Sequence, residues 1–276
     1  MSMIIWLASY PKSGNTWVRS IVSALLYSHD GEFNMNLLSQ IPQFPRKSQF
    51  TGICKNFDDI EEIKKYWIAA QEKINADKKL YFYKTHNANI KIDNYPFTNK
   101  KNTIGTIYIV RDPRNILNSL TNHFNFSQEE AKNFILTKRA LKENTLRNDG
   151  VLTLVGTWED HYESWTSFND NLLIIKYEDL IKDIEHQILK MSEFISRFTK
   201  VEINKNKIKK IIETTSFKNL KKMENVGLFK EYKENKRNFS FFHKGPNNRW
   251  EESLNLQIKK EIEEKYSILM KKLNYL

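Results

Sequence analysis

A chain of 276 residues with 40% hydrophobic and 28% charged side chains has ordinary globular composition, with length for one α/β domain over residues 1–276. Its single cysteine, Cys54, excludes an internal disulfide and suits a reducing compartment. No signal-peptide pattern opens the chain and no apolar run reaches the roughly 18 residues of a membrane span, so stable membrane insertion is not expected and the expected location is cytoplasmic. The net charge of +11 lies largely in lysine runs such as Lys205–Lys210, Lys259–Lys260 and Lys271–Lys272, and reads as a solvated basic surface. With no RRM, zinc-finger or helix-turn-helix signature, no nucleic-acid partner is expected.

Ile4–Ser9 reads as a buried strand. YPKSGN follows, with the loop punctuators Pro11 and Gly14. Thr16–Tyr27 then has a helical period, with Trp17, Ile21, Leu25 and Leu26 as its apolar stripe. Strand, glycine-bearing loop and helix together aim backbone N–H groups and a positive helix end at an anion. Asn34–Cys54, with Pro42 and Pro45, reads as an irregular, mobile loop near the site. Asp58–Ala76 is a predicted helix, and Leu80–Tyr83 a short strand running into KTHN. Tyr95–Asn102 is a connection. Thr103–Val110 is a strand ending at RDPRN, with Pro113 starting the helix Arg114–His123. Further helices are predicted over Ser127–Asn144, Leu154–Phe168, Ile181–Phe194, from Lys205, and over Asn255–Lys272. Asn171–Lys176 is another strand, and Val226–Trp250 has no period. The alternation predicts an α/β fold: a mostly parallel central sheet flanked by helices, with a P-loop-like phosphate-binding loop after the first strand.

Lys12 offers a movable cation, Ser13 and Thr16 offer hydroxyls, and Gly14 permits close backbone approach. The lysine precedes the glycine, unlike G-x-x-x-x-G-K-[ST]. In Tyr83-Lys84-Thr85-His86, strand alternation points Lys84 and His86 to one side. Histidine is a suitable base, and lysine neutralises charge on a transferring group. Arg111 stands at a strand's C-terminal end, where open α/β sheets bind ligands, with paired donors for a second phosphate. Asp112 is read as the cap of the next helix, paired with Arg114. Phe242-His243-Lys244-Gly245 sets a lysine beside a glycine on a loop. At this point a nucleotide or small-molecule kinase with Asp112 or Asp179 on magnesium stays open, as does a non-catalytic nucleotide-binding protein.

Together these stretches resemble the cytosolic-type PAPS-dependent sulfotransferases. PKSGNTW at Pro11–Trp17 is similar to that family's 5′-phosphosulfate loop, FYKTH at Phe82–His86 to its K-[ST]-H segment, and VRDPRNILNS at Val110–Ser119 to its 3′-phosphate motif. KYEDL at Lys176–Leu180 and TSF at Thr215–Phe217 recur in order, and HKGPNNRW at His243–Trp250 resembles R-K-G-x-x-G-D-W. The resemblance implies 3′-phosphoadenylyl sulfate (PAPS) as donor, 3′,5′-ADP (PAP) as product, no metal, and direct in-line transfer. The acceptor would be a hydroxyl, or an amine, of a small molecule, lipid or glycan. It implies His86 as base, with Lys12 and Lys84 countering charge. Donor contacts would come from Lys12, Ser13, Gly14, Asn15 and Thr16, and from Arg111, Ser119, His243, Lys244 and Gly245 around the 3′-phosphate. Trp17, Tyr177, Thr215, Ser216 and Phe217 would bound the nucleotide.

The sequence also departs from the family pattern. Asn15 replaces a more usual threonine, with an amide still able to donate a hydrogen bond. Leu220 stands in place of methionine. His243 replaces arginine, which weakens the 3′-phosphate clamp unless Arg249 compensates, and Asn248-Arg249 replace G-D. The pattern K-x-x-x-T-V-x-x-x-E beyond Trp250 is absent, so no dimer interface is carried over. The acceptor pocket is expected from Asn34–Cys54, Asn87–Phe97, Phe124–Arg147 and Val226–Ser240.

Overall fold

In the computed structural model, which describes residues 4–142, 148–168, 170–229 and 240–276, the first strand β1 (Ile4–Ser9) is buried along its whole length. It is central in a four-stranded sheet with β2 (Tyr81–Thr85), β3 (Thr103–Val110) and β4 (Leu172–Lys176), in the order β2-β1-β3-β4. Every pairing is parallel. Alternation along the strands feeds two cores. Trp6, Ala8, Tyr108 and Val110 pack on one face with Trp158 and Trp165. Ile5, Leu7, Ile107 and Ile109 pack on the other with Ile21 and Leu25 of helix α1 (Asn15–Tyr27). A parallel strand buried on both faces needs no polar side, which is why Ile4–Ala8 is uninterrupted apolar sequence. The α/β reading with a parallel sheet between helices is thus the observed architecture.

From β1 the chain crosses to β2 on one side and then to β3 on the other. The C-terminal ends of β1 and β3 therefore flank a point where the winding reverses, the usual crevice for ligands in such sheets. Helix α2 (Pro113–Phe124) leaves β3 at this edge.

Several boundaries differ from expectation. Asn34–Cys54 is not a plain irregular loop. It forms helical turns at Met35–Gln40 and Lys47–Phe50. It also docks on β2, with Lys84 N donating to Pro42 O and Lys84 O accepting from Phe44 N, both at 2.9 Å. Phe44 and Phe50 are buried in the core. The Asp58–Ala76 helix is broken by a tighter turn at Lys64–Tyr66, where buried Lys64 is held by Glu61 and Asp93. Strand β2 continues through Lys84 and Thr85. Leu154 belongs to a two-residue ribbon paired with Ala140–Leu141, and the helix after it starts at Trp158, capped by Thr157. The Ser127–Asn144 helix ends at Leu136, and residues 143–147 and 230–239 lie outside the described residues. Helix α3 (Phe217–Asn225) was not anticipated; Ser216 caps it. Among the described residues no helix is long and apolar enough to cross a membrane.

Candidate active site

Between β1 and α1 the chain turns through Tyr10–Gly14. Lys12 and Gly14 have φ of 68° and 96°, in the left-handed region, which is unfavourable for lysine and natural for glycine. Gly14 is required twice over, because a Cβ there would overlap the Tyr177 ring. Helix α1 has no side-chain cap. Its first returning bonds run from Trp17 N and Val18 N to Gly14 O, at 3.0 and 3.2 Å. The N–H groups of Gly14, Asn15 and Thr16 precede those bonds and form the open, positive end of the helix. The Asn15 amide does donate, as expected, but to the protein itself. Its Nδ2 donates inward, to Leu7 O at 2.9 Å and Ser9 Oγ at 3.1 Å, closing the loop on its strand.

His86 follows the end of β2, beside Ser9. Its Nδ1 lies 2.8 Å from Ser9 O and 3.2 Å from Ser9 Oγ. A carbonyl only accepts, so the proton sits on Nδ1 and the ring lone pair is on Nε2. The main chain of His86 is held from behind by His161, whose Nε2 donates to His86 O at 3.2 Å while its Nδ1 accepts from the Tyr108 hydroxyl at 2.9 Å. His161 is fully buried, and burial drives its pKa down to about 3, with the charge of His86 adding to the effect. It is therefore a neutral strut.

Arg111, just past β3, is buried. Its Nη1 donates to Lys12 O at 3.2 Å and its guanidinium lies 4.0 Å from the Tyr177 ring centre. Asp112 caps α2 through Arg114 N at 2.8 Å and pairs with the Arg114 guanidinium, the structural role expected for it. Asn115 on α2 then anchors the late loop. Its O accepts from Asn248 Nδ2 at 2.8 Å and its Oδ1 from Trp250 N at 3.0 Å. Gly245 has φ of 52°, and a Cβ there would overlap the Phe217 ring.

These elements enclose a cavity of about 420 Å³. Lys12, Gly14, Asn15, Thr16, Trp17, Lys84, His86, Arg111, Ser119, Tyr177, Phe217, His243, Lys244 and Gly245 all line it. Ser13, Thr215 and Ser216 do not. Ser13 is buried in the turn, Thr215 Oγ1 donates back to Ile211 O at 2.7 Å, and Ser216 is taken up in capping α3. Arg249 is not in this wall but lines an adjoining cleft with Arg111, Tyr177, Pro246 and Asn248. His243 does not replace the charge of the missing arginine, because burial and then Lys244 and Lys221 lower its pKa.

A family model for the sulfotransferase domain matches residues 4–274. The chain belongs to the sulfotransferase family. It is 26% identical over 244 residues to cytosolic sulfotransferase 14 of Arabidopsis thaliana, covering 87% of this chain and 67% of the relative. It is 27% identical to sulfotransferase 1E1 of Rattus norvegicus, covering 96% and 82%, and 27% identical to the amine sulfotransferase of Oryctolagus cuniculus, covering 79% and 62%. The fold is shared with mouse sulfotransferase SULT7A1 complexed with PAP, at a TM-score of 0.61 and 22% identity, over 98% of this chain and 85% of that one. Retinol dehydratase in complex with androsterone and inactive cofactor PAP aligns with a TM-score of 0.62 and 15% identity, over 97% and 80%.

The sulfotransferase cavity also contains residues that motif reading missed. Asn118 and Asn122 line it, and their signal was available, since they share a helical face with Asn115 and Ser119. Arg46, Phe124, Lys142, Phe229 and Phe241 line it as well. Phe241 lies with its ring centre 4.6 Å from Lys12 Nζ. Arg46, Phe124, Lys142 and Phe229 fall in the segments expected to supply the acceptor pocket, whereas Phe241 lies just beyond Val226–Ser240. Among the described residues the wall carries six Lys and Arg cations, Lys12, Arg46, Lys84, Arg111, Lys142 and Lys244, and no carboxylate.

Proposed function

We propose that this sulfotransferase transfers the sulfuryl group of PAPS to a hydroxyl or amine, with His86 as base and Lys12 and Lys84 as counter-charges. The observation that carries the reading is the placement of His86 against Ser9, at the root of the Gly14 loop, with His86 and the helix-start residues Gly14, Asn15 and Thr16 lining one cavity. Fit to a bis-phosphorylated donor is supported by Arg111 of the cavity wall, whose buried Nε has no hydrogen-bond partner in the protein and would otherwise cost ~1–3 kcal/mol. The N–H groups of Gly14, Asn15 and Thr16 would hold the 5′-phosphate. Arg111, Ser119, Lys244 and the Gly245 backbone would hold the 3′-phosphate, with Trp17, Tyr177 and Phe217 against the base.

PAPS supplies the electrophilic sulfur. His86 Nε2 takes the acceptor proton as the new bond to sulfur forms and the bond to the bridging oxygen breaks. Lys12 and Lys84 meet the charge left on the bridging and sulfuryl oxygens. The acceptor is a small molecule, lipid or glycan, and the rings of Phe124, Phe229 and Phe241 beside Asn122 favour a small-molecule or glycan hydroxyl. We assign the enzyme to the cytoplasm and treat residues 1–276 as one domain. Calorimetric titration with PAP against 5′-AMP, without magnesium, tests the donor assignment. Strong preference for PAP is expected, and equal affinity for both would remove the 3′-phosphate site and the reading with it.

A further inference from the structure

Asn15 belongs to two parts of the site at once. Its backbone N–H stands in the run of donors at the start of α1, and the assignment of that run to a donor phosphate rests on the function proposed above. Its side chain is buried and commits both amide hydrogens inward, to Leu7 O at 2.9 Å and Ser9 Oγ at 3.1 Å. Ser9, also buried, in turn receives the His86 ring on its carbonyl and its hydroxyl, at 2.8 and 3.2 Å from Nδ1. Asn15, Ser9 and His86 thus form one buried chain of hydrogen bonds from phosphate loop to base.

We infer that Asn15 and Ser9 are positioning residues that hold His86 in the tautomer able to accept a proton. The Ser9 carbonyl and the Ser9 hydroxyl make different demands on Nδ1. The carbonyl only accepts, so it selects the ring with its proton on Nδ1 and its lone pair on Nε2. A hydroxyl donates as readily as it accepts, and a proton turned toward Nδ1 selects the opposite ring, whose Nε2 is already protonated and cannot act as base. The Asn15 amide occupies a lone pair of Ser9 Oγ and fixes that oxygen. Without it the hydroxyl rotor is released beside Nδ1. The Asn15 backbone sits at the head of α1, so ordering of the loop by an anion also braces the base.

The test is the tautomer of His86, read by long-range proton–nitrogen spectra of protein labelled with ¹⁵N-histidine, with and without PAP. His86→Asn assigns the signals by their loss. Wild type is expected in the Nδ1–H form. Asn15→Ala is expected to raise the Nε2–H fraction about fivefold, the equivalent of one ordinary hydrogen bond. Ser9→Ala in the same chain is expected to restore the wild-type ratio, because only the carbonyl remains. A purely structural role for Asn15 would make the double variant worse, not better. An unchanged ratio in Asn15→Ala, or no restoration by Ser9→Ala, overturns the inference. If Asn15→Ala does not fold, Asn15→Ser retains one donor and should give an intermediate ratio; the wild-type ratio there is equally fatal. Failure of wild type to bind PAP strikes the donor assignment alone, since the ratio without PAP still tests the link.

Discussion

Around Gly14 the cavity wall is main chain: a glycine turn and the start of α1, backed by the Tyr177 ring that leaves no space for a Cβ. Around Arg46, Phe124, Lys142 and Phe229 it is side chains brought together from segments far apart in sequence. The first kind of wall fixes the position of its donors to the geometry of the strand and helix that carry them. The second depends on how several loops pack and changes with each residue. A shared donor recognised by the first, and a family-variable acceptor by the second, is the division of labour this difference suggests.

The comparison breaks most readily at Gly14. Gly14→Val combines a positive φ with overlap of the Tyr177 ring, and should weaken PAP binding by ~100-fold or more in calorimetry. Near-wild-type affinity would mean the wall there is pliable. Behind the base, His161 makes a prediction about stability. Its folded pKa is depressed to about 3 by burial, while the unfolded chain protonates near 6.5. The unfolded state therefore binds the extra proton first, and stability present above pH 6.5 is lost as pH falls toward 3. Between pH 7 and 4.5 this amounts to ~2–3 kcal/mol, visible in urea midpoints and reduced in His161→Gln.

Both of these regions were readable in different degrees before the fold was known. The loop Pro11–Trp17, the pair Lys84–His86 and Arg111 were legible because strand ends and helix starts leave local patterns. Thr215 and Ser216 misled because a motif shared along a segment does not say which of its side chains faces the ligand; here one bonds its own helix and the other caps the next. Arg46 and Phe229 were legible only as members of the segments expected to supply the acceptor pocket, and Phe241 not at all, because which side chain enters the wall follows from docking of the Asn34–Cys54 segment on β2 and from packing of the late loop.

Smaller effects sharpen the contrast. His243 has its pKa lowered by burial and by Lys244 and Lys221, so it is neutral at pH 7.5 and charges as pH falls. PAP affinity of the wild type should rise as pH falls below the ordinary histidine range and His243 gains its charge, and His243→Arg should gain about fivefold at pH 7.5 and lose that dependence. A flat wild-type profile would remove His243 from the clamp. Least of all should Phe124→Leu affect the donor: PAP affinity within about twofold of wild type, with a changed KM for 2-naphthol as probe acceptor. Loss of PAP binding there would show that the two walls are not separable.

The most direct test of the whole account is His86→Asn, assayed as PAP released from PAPS with 2-naphthol and by PAP calorimetry on the same sample. The account predicts a fall in transfer of ~10²–10⁴-fold, the usual worth of a general base, with PAP affinity essentially retained. Transfer within tenfold of wild type would contradict it and leave His86 as a wall residue only.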